Sequence, residues 1–284
     1  MSSAVDLDNR PGDTGAGTGR APGRGDRIRT VVRGVGQTLI TFGLVALLFV
    51  VYELYVTDLL AAREQDQLSQ EIQQQWADSP TVTPPTPAPS AGAGEPSPAP
   101  APAPESLDLA LGQPFAVVHI PRLGGDYSRV IVEGTAQVQL AQGPGHYLDT
   151  AMPGEEGNFA VAGHRVGRGS PFLDLDQLRP GDAVVIETQG NWFTYRVLGD
   201  QATGDFSTDP SGIPGQEIVR PVDVDVISPT PGGPAGGAAS GAYLTLTTCH
   251  PKYSAAQRLI IHARLDGAPL SKASAPDGPP ALAG

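Results

Sequence analysis

The apolar and polar positions divide this chain into one long apolar run, one long proline-rich stretch and a region of short alternating segments. The apolar run is Val35 to Val56, with Leu39, Ile40, Phe42 and the unbroken series Leu44 to Val51, and it carries a single charge, Glu53. About 22 residues at ~1.5 Å rise match a hydrocarbon core of roughly 30 Å. A soluble helix of that length would show a polar face, and this one does not. The pattern predicts a transmembrane helix over 34–57. Arg20, Arg24, Arg27, Arg29 and Arg33 precede it, whereas Arg63 follows among Asp58, Glu64 and Asp66. The positive-inside rule then puts the N-terminal side in the cytoplasm and the chain after residue 57 outside. The run is long for the core of a cleaved signal peptide and no clear small-x-small site follows it, which favours an uncleaved, single-pass anchor.

Residues 1 to about 28 hold almost no large apolar side chain, and 1–33 read as a disordered cytoplasmic tail. Residues 58–78 are rich in helix formers and read as a helical stalk. The alternation of Pro, Ala, Ser and Thr that follows, to residue 106, favours extended polyproline II, a semi-rigid spacer at about 3.1 Å per residue. A second Pro/Ala/Gly-rich segment, 267–284, reads as a disordered tail. The folded domain is expected over 107–266. Its segments are short and β-rich: 114–120, 128–132, 158–164, 182–188, 191–199, 242–249 and 257–265, with a hairpin turn at Gln189-Gly190. Helical turns are expected only at 134–142 and 171–178. Short strands with Gly/Pro turns and few helices predict a mainly β fold, a closed barrel or sandwich.

Composition sharpens this in two ways. The net charge is −12, and no basic stripe crosses the folded region, so nucleic acid is not an expected partner. There is one cysteine, Cys249, so an intramolecular disulfide is excluded. Outside the cytoplasm an unpaired cysteine is either a linkage point or a reactive thiol.

Cys249 closes the strand-like run Ala242 to Cys249, and Arg258 opens the next one after a loop begun by Pro251. A thiol nucleophile needs a proton-transfer partner, usually histidine. His250 is adjacent to the cysteine and would point to the other face of a strand. His262 sits mid-strand among Ile and Ala, His119 at a strand end without chemical context, and His146 in a Gly/Pro loop. His164 ends a strand-like run and leads into a loop with Arg165, Gly167 and Gly169, a junction like that of Cys249. No paired ligands at zinc spacing occur, and neither a metal nor a cofactor is expected.

Two segments carry a specific resemblance: TLTTCHPKYSAAQRLIIHARL (245–265) and GPGHYLDTAMPGEEGNFAVAGHR (143–165). Together they strongly resemble the sortase family, and look most like the class E housekeeping sortases of Gram-positive actinobacteria. The match runs from about Phe115 to Leu265 and rests on T-L-T-T-C (245–249) with Arg nine residues later and on A-G-H-R upstream. The resemblance implies a closed eight-stranded β-barrel with one or two short helices. It implies a catalytic triad of His164, Cys249 and Arg258. It also implies a transpeptidase that cuts a Leu-Ala-x-Thr-Gly sorting signal between Thr and Gly. The acyl group would pass from a surface protein to the amine of a lipid II-type cell-wall precursor. In the class E pattern the tyrosine after Gly-His lies near the substrate's Ala, which maps to Tyr147. The hydroxyls of Thr247 and Thr248 could add substrate contacts, though packing explains β-branched strand residues equally well. The alternatives are an extracytoplasmic cysteine hydrolase, a pilin-polymerising sortase of another class, and a non-catalytic surface module.

Overall fold

The computed structural model describes residues 24–52, 57–78, 109–207 and 209–283. It falls into two compact units, residues 1–50 and 51–284. The first holds helix α1, Arg24–Val51. Its stretch Ile28–Val51 has a mean hydropathy of 2.1 and no buried position. The helix begins earlier than expected, taking in Arg24, Arg27, Arg29 and Arg33. Residues 53–56, expected to end the anchor, lie outside the described residues, as do 1–23 and the proline-rich segment 79–108.

The second unit is a barrel. Its strands are β1 (Pro114–His119), β2 (Ser128–Glu133), β3 (Gly145–His146), β4 (Gly157–Ala162), β5 (Ala183–Glu187), β6 (Asn191–Val197), β7 (Gln216–Val219), β8 (Ala242–His250), β9 (Gln257–Leu265) and β10 (Leu270–Ser271). Pairing runs β6-β5-β1-β2-β3-β4-β8-β9 and returns to β6, closing eight strands into a ring. The last contact is Tyr195 to Val197 against Leu265 to Ala263. β7 lies along the first half of β9, and β10 along the start of β6. The sheet is mixed, because β2/β3 and β4/β8 are parallel. Alternation fills the interior with Phe159 and Val161 of β4, Leu244 and Leu246 of β8, Leu259 and Ile261 of β9, and Tyr195 of β6. Short helix α3, Gln137–Gln142, and a turn at Leu175–Gln177 take the two expected helical places.

The predicted stalk is a helix, α2 (Thr57–Asp78), but it lies against the barrel. Ala61, Leu68, Ile72 and Trp76 make one stripe at spacings of seven, four and four, and Leu68 and Ile72 bury against Val117 of β1 and Val130 and Val132 of β2. Gln65 falls within the stripe. Its amide oxygen accepts from Val130 N–H at 2.9 Å, and its nitrogen donates to the Gln142 carbonyl at 2.6 Å. β2 meets β3 only from Val132 onward, so Gln65 satisfies backbone groups that no strand reaches. Gly143 permits this approach, because a Cβ there would stand 2.2 Å from the Gln65 amide nitrogen.

The tail expected to be disordered is also ordered over 267–283. β10 pairs with β6, and Trp192 Nε1 donates to the Ala275 carbonyl at 3.0 Å. Lys272 binds Glu187 at 2.7 Å and stands 4.1 Å from the Trp76 ring centre. Composition hid these specific contacts among Pro, Ala and Gly. Together they extend the folded unit past residue 266 and tie it to α2.

Burying an aliphatic side chain stabilises by about 1.5–3 kcal/mol, and truncating one leaves a cavity as well. Ile72→Ala is therefore expected to cost about 2–5 kcal/mol. A chain starting at residue 107 should melt below one starting at residue 57; equal melting temperatures in calorimetry would contradict the docking of α2.

Candidate functional site

The site follows from strand register. β4 and β8 run parallel, with Ala162 opposite Thr247, and the ladder continues as Gly163 N–H donates to the Thr247 carbonyl at 3.0 Å. Two residues on, His164 comes level with Cys249. β8 and β9 are antiparallel, and Cys249 is directly opposite Arg258. Strand parity then sets the face. Phe159, Val161, Leu244 and Leu246 face the core. Asn158, Thr245 and His262 face the other way and bond to one another, with Thr245 Oγ1 2.8 Å from Asn158 and 2.9 Å from His262 Nδ1. His164, Cys249 and Arg258 share the parity of this outer row. They form its last layer, with the thiol between the imidazole and the guanidinium.

The five histidines differ in what their rings touch. His119 meets Glu187 at 2.9 Å, and His146 meets Glu133 at 2.8 Å and Thr150 at 2.9 Å. His262 is held by Thr245 and by Glu217 at 3.1 Å. His250 Nδ1 accepts from Arg165 Nη1 at 3.0 Å. Among the described residues, His164 Nε2 is buried with no hydrogen-bond partner. Burial, and then the nearby Arg168 cation, hold the His164 pKa below the ordinary imidazole value. Arg168 sits in a tight left-handed loop, where Gly167, Arg168, Gly169 and Ser170 all have positive φ. At neutral pH His164 is therefore neutral and its free nitrogen can accept a proton.

Cys249 is half-buried and free. Arg258 is also half-buried; its Nη1 donates to the Ala255 and Gln257 carbonyls, both at 3.0 Å. That fixes the head group at the start of β9. Among the described residues, Nε and Nη2 remain as donors toward a ligand.

The residues expected to touch substrate separate by parity. Thr247 lies on the Cys249 face, and its hydroxyl meets Tyr147 Oη at 3.0 Å. Thr248 points the other way, is 2 % exposed, and donates to the Gly163 carbonyl at 2.8 Å. It pins β4 to β8 and has no hydroxyl to offer a ligand on the outer face. Strand alternation alone would have separated these two threonines. Sequence reasoning also left Arg165 without a role. Its guanidinium is buried beneath the site and reaches the Cys249 carbonyl at 3.4 Å.

Comparison with known proteins fits this geometry. Residues 118–266 match the family described as Sortase domain. Sortase SrtE1 of Streptomyces coelicolor is 34 % identical over 82 % of this chain, which spans 56 % of that relative's length. Sortase SrtE2 of the same organism is 30 % identical over 88 % of each chain. Among solved structures, the SrtF sortase from Corynebacterium diphtheriae superposes with a TM-score of 0.56 at 42 % identity, over 63 % of this chain and 96 % of that one. The SrtA sortase from Actinomyces oris gives 0.52 at 30 % identity, over 62 % and 90 %. The barrel, the paired strand ends and these relatives lead to one conclusion: the chain belongs to the sortase family of cysteine transpeptidases, with class E sortases of Streptomyces among its relatives.

Proposed function

We propose that this chain is a class E-type sortase that cleaves a Leu-Ala-x-Thr-Gly signal between Thr and Gly and transfers the Thr acyl group to the amine of a cell-wall precursor. The observation that supports the reading most is the register that brings His164, two residues past the end of β4, level with Cys249 of β8 and Arg258 of β9. Cys249 is the nucleophile. His164, neutral and with Nε2 free, takes the thiol proton as sulfur attacks the Thr carbonyl carbon. The carbon–sulfur bond forms, and the carbonyl oxygen gains charge facing the open donors of Arg258. His164 then returns the proton to the glycine nitrogen, the carbon–nitrogen bond breaks, and a thioester remains. The incoming amine attacks that carbonyl and gives its proton to His164, and the sulfur leaves as thiolate and is reprotonated. Tyr147, tied to Thr247 on the same face, borders the substrate's Ala.

Localisation follows from α1. Its apolar span and the arginines at its start support an anchor whose N-terminal side is cytoplasmic, with the barrel outside. There it would meet surface proteins that carry the signal.

Two experiments test this reading. Cys249→Ala and His164→Ala should each abolish transfer of a Leu-Ala-x-Thr-Gly peptide to an added amine, and Arg258→Lys should lose most of it, because a point charge does not replace a fork of donors. Mass spectrometry with and without the amine separates transfer from hydrolysis; release to water alone would favour a hydrolase. In an NMR titration the His164 midpoint should lie below about 6.5. Arg168→Gln should raise it without restoring that value, since burial remains the larger cause. The depressed pKa means the unfolded chain binds the proton more readily, so acidification below about pH 6.5 should cost stability. A midpoint at or above the ordinary value would contradict the role of His164 as base.

A further inference from the structure

Behind the outer row, on the core side of the same strand ends, lies the guanidinium of Arg165, 3 % exposed. It is an ion-pair partner of Asp176 at 2.9 Å and donates to His250 Nδ1 at 3.0 Å. Longer contacts, both 3.4 Å, run from Nε to the Leu173 carbonyl and from Nη1 to the Cys249 carbonyl. A buried guanidinium is costly to desolvate, and a side chain needed only to fill this space would be apolar. Here the donors go instead to both sides of the site.

We propose that Arg165 is a positioning residue for acyl transfer, fixing the spacing between His164 and Cys249. This rests on the catalytic reading of those two residues. Arg165 follows His164 directly in the chain, while its head group grips the Cys249 carbonyl and the ring of the next residue, His250. The segment between Phe172 and Asp176 completes a clamp. Phe172 N–H donates to the His164 carbonyl at 3.0 Å. Asp176 holds Arg165, and Asp174 holds Lys252, three residues past the cysteine, at 2.9 Å. His164 and Cys249 thus reach each other through a second route besides the strand ladder. Because a guanidinium only donates, His250 Nδ1 is the acceptor of this bond, and that ring nitrogen is occupied by Arg165.

The test measures kcat and KM for the peptide, with thermal melting, on the full chain in detergent. Arg165→Met should lower kcat by between about 10- and 100-fold, the scale of a misplaced reacting group, with KM within about twofold of the parent. Arg165→Lys retains a cation but not the fork and should fall between the two. His250→Ala removes one acceptor without burying a new charge and should lower kcat in the same direction, which keeps the proposal testable if Arg165→Met fails to fold. Arg122→Met breaks the 2.6 Å surface pair with Asp182 and serves as a control with parental kcat. Parental kcat in folded Arg165→Met or His250→Ala, with Cys249→Ala inactive, overturns the positioning role alone. Residual transfer in Cys249→Ala overturns both readings.

Discussion

The parallel ladder between β4 and β8 is the constraint on which the site depends. In a parallel pair both strands end at the same side of the sheet, so the residues just past each end are brought together. β4 delivers His164 there and β8 delivers Cys249. The antiparallel return of β9 begins at that same end and adds Arg258. His164, distant in sequence, is thereby brought level with Cys249 and Arg258, which face each other across adjacent strands. Thr248, through its bond to the Gly163 carbonyl, locks the ladder at the step before the chemistry. Barrel closure through β6 and β9 removes the freedom of those strands to slide.

The helix α2 belongs to the same physical unit. Its apolar stripe covers β1 and β2, Gln65 completes backbone bonds that the strands leave open, and Trp76 meets Lys272 from the C-terminal segment. The barrel is therefore gripped by chain from both of its flanking segments.

Much of this was legible in the sequence. Alternation placed the strands, the apolar run placed α1, and Cys249, His164 and Arg258 stood out as polar residues where strands begin or end. Parity alone could have separated Thr247 from Thr248. The docking of α2 was obscured because a run of helix formers suits a free stalk equally well, and Gln65 interrupts its apolar stripe. The tail was hidden by its Pro and Gly content, since one lysine and one backbone carbonyl make its decisive contacts. Arg165 was in view within A-G-H-R, but its burial depends on Asp176 and His250, which only the fold brings to it.

The central claim is that one sheet face presents imidazole, thiol and guanidinium in a row to a single acyl group. A crystal structure of the chain trapped with a Leu-Ala-x-Thr mimic bearing a thiol-reactive ketone at the Thr carbonyl tests it most directly. The account predicts a covalent bond from Cys249 Sγ to the carbonyl carbon, the Arg258 guanidinium on its oxygen, and His164 Nε2 on the leaving-group side. Adduct formation with Arg258 turned away from the oxygen, or with His250 in the place of His164, would contradict it.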